Sequence, residues 1–188
     1  AEGISLLDVG LDFPFAFLLA AMGFSLVLFI ERVVFEAHQE LEGMEAGKKP
    51  EIYPALLALV LSVHSLFAGI SLGLEESFLG SMALFVAIVA HKGSAAFALA
   101  VGLVRSSVAS VRFWRIMVLF SLMTPLGIVL GTIFTTFLSG NVEEGAEAVF
   151  DGLAAGTFLY VSVLDVIDEE FATGALKAPK FLLFLGGV

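Results

Sequence analysis

Ile52–Leu74 runs from Glu51 to Glu75 without one acidic residue, lysine or arginine. Four other runs share this character: Phe13–Ile30, Ser77–Val104 (broken by His91 and Lys92), Ile116–Val142, and Ala148–Leu164 with Asp151 near its start. A helix crossing the hydrocarbon core needs about 20 mostly apolar residues. The runs do not alternate as barrel strands do, and a lone strand could not satisfy its backbone in lipid. Each run therefore predicts a transmembrane helix. With flanking turns the spans fall at about 13–34, 52–75, 78–104, 114–138 and 147–166. Residues 180–188 begin a sixth span that stops too soon to cross. The polar stretch at about 35–51 reads as a linker rich in Gly, Glu and Lys.

Composition agrees with this partition. The chain is 59% hydrophobic and 15% charged, against about 45–50% and about 25% in soluble domains. A chain of 188 residues has too much surface to hide that excess from water. The predicted fold is thus all-α, a polytopic membrane helix bundle with about five complete spans and a truncated sixth. The net charge of −10 excludes a basic nucleic-acid footprint. The absence of cysteine excludes disulfides and thiolate metal sites. Ala1–Leu11 is acidic and lacks the basic start of a signal peptide.

Lys and Arg set the orientation. Arg32, Lys48 and Lys49 flank the first connection, Arg105, Arg112 and Arg115 the third, and Lys177 and Lys180 the fifth. The second and fourth connections carry Glu75, Glu76, Glu143, Glu144 and Glu147 instead. Basic connections stay in the cytoplasm, so the linker is cytoplasmic and the acidic turns face outside or a lumen. The plasma membrane and an endomembrane fit equally. Small residues four apart recur at Gly69/Gly73, Gly127/Gly131 and Gly152/Gly156. They permit close helix approach and leave monomer and homodimer both open.

Ionisable groups deep in a bilayer are costly and therefore functional candidates. His64 stands eleven residues before Glu75 (75 − 64), and His91 eleven after Gly80 (91 − 80). At 1.5 Å per residue both lie about 16 Å below the outer turn. The short turn makes their helices antiparallel neighbours, so two imidazoles meet near the midplane. Imidazole nitrogen suits Zn²⁺ and other late divalent ions, and transporters place substrate between helices at this depth. The bland alternative is a hydrogen-bonded pair of core histidines. No HExxH, cysteine nucleophile or GxxxxGK[ST] occurs, so metalloprotease, thiol and ATP-driven chemistry have no motif.

Val63-His64-Ser65-Leu66-Phe67-Ala68-Gly69-Ile70-Ser71-Leu72-Gly73-Leu74 resembles the fourth span of ZIP metal transporters. Ala90-His91-Lys92-Gly93-Ser94-Ala95-Ala96-Phe97 resembles the fifth span of their animal zinc-importer branch. Ala21-Met22-Gly23-Phe24 with Glu31 is similar to the third, Leu122-Met123-Thr124-Pro125-Leu126-Gly127 to the sixth, and Ala155-Gly156-Thr157-Phe158-Leu159-Tyr160-Val161 to the seventh. The likeness runs in order from about Phe13 to Phe171. It implies an eight-helix fold of which this chain holds the third to seventh spans and part of the eighth.

The resemblance puts His64 and His91 in the primary metal site; water, Ser65 or a group from another span would complete the coordination. It also implies a Glu one turn after the first His, or four residues after the second. Those positions are Ala68 and Ala95. Two neutral imidazoles leave the full +2 charge uncompensated, so Zn²⁺ binding should be weaker than at a His₂Glu site. Lys92 and Thr124 stand where two-metal members carry carboxylates, and a fixed cation there repels a second ion. Glu75 and Glu76 would concentrate cations at the entrance. Asp165 matches a carboxylate of the inner exit route, and Asp168 shares its helical face.

The expected function is import of a divalent ion toward the cytosol, zinc first, with Fe²⁺, Mn²⁺ and Cd²⁺ as alternatives. The metal is substrate, and no cofactor is expected. The missing carboxylates motivate a second reading, a metal-binding membrane protein without flux. A third, an intramembrane enzyme using Asp165 and Asp168, rests on two acids alone.

Overall fold

A computed structural model describes residues 15–35, 53–138 and 140–167, and all regular structure among them is helical. Five helices follow in order: α1 Phe15–Leu28, α2 Tyr53–Leu74, α3 Phe78–Arg105, α4 Ser110–Thr135 and α5 Asn141–Tyr160. α1 and α5 each continue in a wider π-helical stretch, Phe29–Phe35 and Val161–Ile167. Four segments are long and apolar enough to cross a bilayer: Ala55–Leu74, Phe78–Arg105, Ser110–Thr135 and Val142–Leu164. Phe15–Glu31 is apolar but shorter. The linker beyond Phe35 and the sixth predicted span lie outside the described residues.

The turns have local causes. Ser77 caps α3 by accepting from the Gly80 amide at 3.2 Å, satisfying an orphan donor of the first turn. Glu75 Oε1 accepts from the Ser77 amide at 2.7 Å, which tightens the three-residue connection. Gly140, at φ +57°, adopts the left-handed backbone that releases α5 from the preceding turn. Pro125 lies within α4, where helices in lipid tolerate it because neighbours re-satisfy the backbone.

α2 is the central helix. Its principal partners are α4 and then α5; α1 packs on α5, and the contact of α2 with α3 is lighter. Chain adjacency therefore made α2 and α3 neighbours but did not choose α2's main partner. Glycines chose it. A Cβ on Gly127 would lie 2.9 Å from Gly69 Cα, and one on Gly131 would lie 2.9 Å from Gly73 Cα. Both stripes are spent inside this chain, joining α2 to α4 backbone against backbone. Gly23, facing Leu153, and Gly156, facing Ala20, do the same for α1 and α5.

The core occupies the half of the bundle toward the Arg105–Arg112 turn. Leu56, Val60 and Leu61 of α2 meet Leu99 and Leu103 of α3, Phe120 of α4, Val27 of α1 and Tyr160 of α5. Phe24 and Tyr160 stack edge to face at 5.1 Å. On the acidic side of this core lies a cavity that reaches Ser71 and Asp151.

Candidate metal centre

α2 carries His64 into the middle of the bundle, where the residue is 6% exposed. Its Nδ1 lies 3.0 Å from the Ala154 carbonyl and 3.2 Å from Thr157 Oγ1. Thr157 itself donates to Ala154 O at 2.9 Å, so both oxygens are acceptors and Nδ1 carries the proton. That fixes the tautomer with the Nε2 lone pair free, as a metal-binding imidazole requires. α3 brings His91 from the other side. The residue is half-buried, and its ring lies near the backbone of Ala87, one turn earlier.

The two Nε2 atoms stand 3.5 Å apart, with ring centroids at 5.6 Å. Two nitrogens on a tetrahedral Zn²⁺ at about 2.0–2.1 Å are separated by about 3.3–3.4 Å. The pair could thus clasp one ion with a shift of a few tenths of an ångström. Phe158 of α5 lies against both rings, with centroids at 5.3 Å from His64 and 5.1 Å from His91. It shields the pair on one side, and its role was not visible in the sequence.

A cavity of about 220 Å³ reaches the imidazoles, with Ala68, Ser71, Asp151 and Ala154 in its wall. Position 68 faces it, so the missing carboxylate would have pointed at the pair. A second, much smaller cavity is lined by Ser65, Lys92, Ala95 and Thr124 as well as both histidines. There Lys92 Nζ donates to Thr124 Oγ1 at 2.8 Å and approaches Ser65 Oγ at 3.4 Å and Phe120 O at 3.5 Å. The ammonium also lies 4.3 Å from the Phe120 ring centroid, a cation–π contact. Thr124 in turn donates to Ser65 O at 3.3 Å. Ser65 and Thr124 thus both contact the lysine, in a cavity that the two histidines also line.

Among the described residues no group of three His, Asp or Glu side chains is close enough to hold one ion. Ser71 donates to an Asp151 carboxylate oxygen, two residues that sequence reading did not attach to the site. Gly69-Ile70-Ser71-Leu72-Gly73 spells G-x-S-x-G, but it lies inside continuous α2, not on the strand-to-helix elbow that exposes a nucleophile. At the acidic end Glu147 lies beside Glu75, and Glu143 beside Glu76. The predicted entrance residues thus pair with the start of α5. Asp165 falls in the π-helical continuation Val161–Ile167; Asp168 lies outside the described residues.

Fold and site together define a polytopic helix bundle with a paired-imidazole pocket inside the membrane. The family described as ZIP Zinc transporter matches residues 36–188, and the chain belongs to that family. It is 33% identical to bovine zinc transporter ZIP1 and 32% identical to the human protein of that name, over 99% of this chain and 66% of each relative. It is 31% identical to human zinc transporter ZIP2, over 94% of this chain and 64% of that protein. The chain thus spans just under two thirds of the relatives it matches. No solved structure matches.

Proposed function

We propose that this chain is the metal-conducting part of a divalent-metal transporter, with zinc as its principal ion. The ion enters from the acidic side, rests at a single midplane site between α2 and α3, and leaves toward the cytosol. The observation that supports this most is the 3.5 Å approach of His64 Nε2 and His91 Nε2 at the floor of one cavity. The relatives are zinc transporters by name, and two imidazoles suit that ion.

The direction is argued from shape and charge. Above the imidazoles, on the side of Glu75 and Glu147, the cavity extends to Ser71 and Asp151. Below them Leu61, Leu99, Phe120 and Tyr160 are 3% exposed or less and close the path. A cavity on the acidic side over a packed core suits a transporter shut toward the cytoplasm, with release requiring that core to part. Orientation rests on Arg105 and Arg112 lying at the closed end.

The test is uptake of ⁶⁵Zn²⁺ by cells expressing the full-length protein. His64→Ala and His91→Ala should each abolish uptake at matched surface expression; full retention in either variant overturns the site. The absence of a third ligand at Ala68 or Ala95 favours one competing reading, a protein that binds zinc without moving it. Saturable binding by purified protein together with zero flux would establish that reading instead.

A further inference from the structure

We propose that Asp151 is the anionic station of the metal path: a hydrated divalent cation docks on its carboxylate before passing to the imidazole pair. This rests on the transport reading and names a residue of the same cavity that neither the sequence motifs nor the imidazole geometry assign. Asp151, Ser71, Ala68, His64 and His91 line one continuous space. Ser71 is 1% exposed and donates to one carboxylate oxygen. That bond fixes the carboxylate at the cavity wall and leaves its other lone pairs free as acceptors.

Asp151 sits within the apolar span Val142–Leu164, where a carboxylate is costly and calls for a partner. Its charged neighbours are themselves carboxylates, Glu75 and Glu147. The lysine of the site, Lys92, is engaged with Thr124 on the far side of the imidazoles. Among the described residues no cation is placed beside this carboxylate, and a mobile cation would supply its counter-ion. At Ala68 the chain omits the carboxylate that would sit directly over the pair, and Asp151 supplies negative charge farther up the same cavity.

The spacing makes it a separate station. Asp151 is three residues before Ala154, whose carbonyl holds His64, and Ser71 is seven residues after His64. By helical rise the carboxylate lies one to two turns, roughly 5–10 Å, from the imidazoles. A first-shell ion cannot span that gap, so the two stations act in sequence. Asp151 acts on an ion that keeps part of its water shell, and the histidines act on one that has shed more.

The experiment compares half-saturating zinc concentration and maximal rate of ⁶⁵Zn²⁺ uptake for the full-length protein, with zinc binding to purified protein in parallel. Asp151→Asn should raise the half-saturating concentration about 10–100-fold, the range seen when a metal site loses a supporting carboxylate. Asp151→Glu should stay within about threefold of the parent protein. Ser71→Ala, which only frees the carboxylate to turn, should give a smaller rise. Adding Ala68→Glu to Asp151→Asn should recover most of the loss. Unchanged half-saturation and binding in Asp151→Asn overturn the proposal, as does equal damage from Asn and Glu, which would mark a packing role. His64→Ala and His91→Ala separate the two readings. If they abolish uptake while Asp151→Asn does nothing, only the station fails; if they leave uptake intact, the imidazole site fails.

Discussion

Lys92 Nζ is hydrogen-bonded to Thr124 Oγ1 at 2.8 Å, joining the two positions at which the ZIP resemblance expects carboxylates in two-metal members. The ammonium occupies the space beside the imidazoles, takes two further oxygen neighbours and lies over Phe120. An internal cation thus stands where a second metal would. Lys92→Asp combined with Thr124→Glu should raise bound zinc from about one to about two ions per chain, since two carboxylates replace one fixed positive charge. Metal analysis of purified protein after dialysis against zinc checks this; a ratio that stays at one refutes it.

Ala68 faces the cavity within one turn of His64, so a glutamate there can complete a His₂Glu set. Ala68→Glu should tighten zinc binding about tenfold or more, equivalent to ~1.4 kcal/mol or more. Isothermal titration of the detergent-solubilised protein measures it. No change would show that position 68 does not reach the ion.

Imidazole binds metal only when unprotonated. Acid that protonates either ring removes a ligand and puts positive charge in the site, so zinc affinity should fall on acidification. At constant free zinc, bound zinc should decrease as pH is lowered far enough to protonate the rings. Residual binding in a double His64→Ala, His91→Ala variant should lose that dependence; a parent protein indifferent to pH would argue against imidazole ligation.

Gly127 meets Gly69 backbone to backbone, with room for no Cβ. Gly127→Ala should push α4 from α2, costing about 1–3 kcal/mol as overpacking does. It should also disturb Lys92 through Thr124, which lies on the same stretch of α4. Thermal aggregation in detergent should show a lower midpoint. Gly93, with nothing near its Cβ direction, is the matched control and should tolerate alanine.

These 188 residues hold no cysteine, so single thiols placed here can report access once any cysteine elsewhere in the full-length protein is replaced. In cells, Ala68→Cys should react with a membrane-impermeant maleimide added outside, and zinc should protect it. Leu61→Cys, within the closed core, should stay unmodified. Reaction at Leu61→Cys without reaction at Ala68→Cys would reverse the assigned orientation.

The spans were legible because charge is expensive in lipid: Glu51, Glu75 and Arg105 mark helix limits almost unaided. The equal depth of His64 and His91 was legible because a tight turn and a constant helical rise leave no freedom. Asp151 was visible only as an impurity in a span. Its link to Ser71 joins residues 80 apart in sequence, and depth along a helix says nothing of the direction a side chain faces around it. Phe158 and Thr157 were hidden likewise, as one aromatic and one hydroxyl among many. The π-helical continuations of α1 and α5 have no periodic signature in so apolar a sequence.

Length, apolarity and charge position by themselves fixed five helices, their alternation across the membrane and the level of the two imidazoles, since each follows from local rise and the cost of burying charge. Only the tertiary structure decided that α4, not the sequence neighbour α3, is the main partner of α2. It alone turned both Nε2 atoms toward one point and set Lys92 on one side of them and Asp151 on the other. Those outcomes depend on the rotation of each helix about its axis, which glycine-to-glycine contact and hydrogen bonds between distant spans determine and no local pattern encodes.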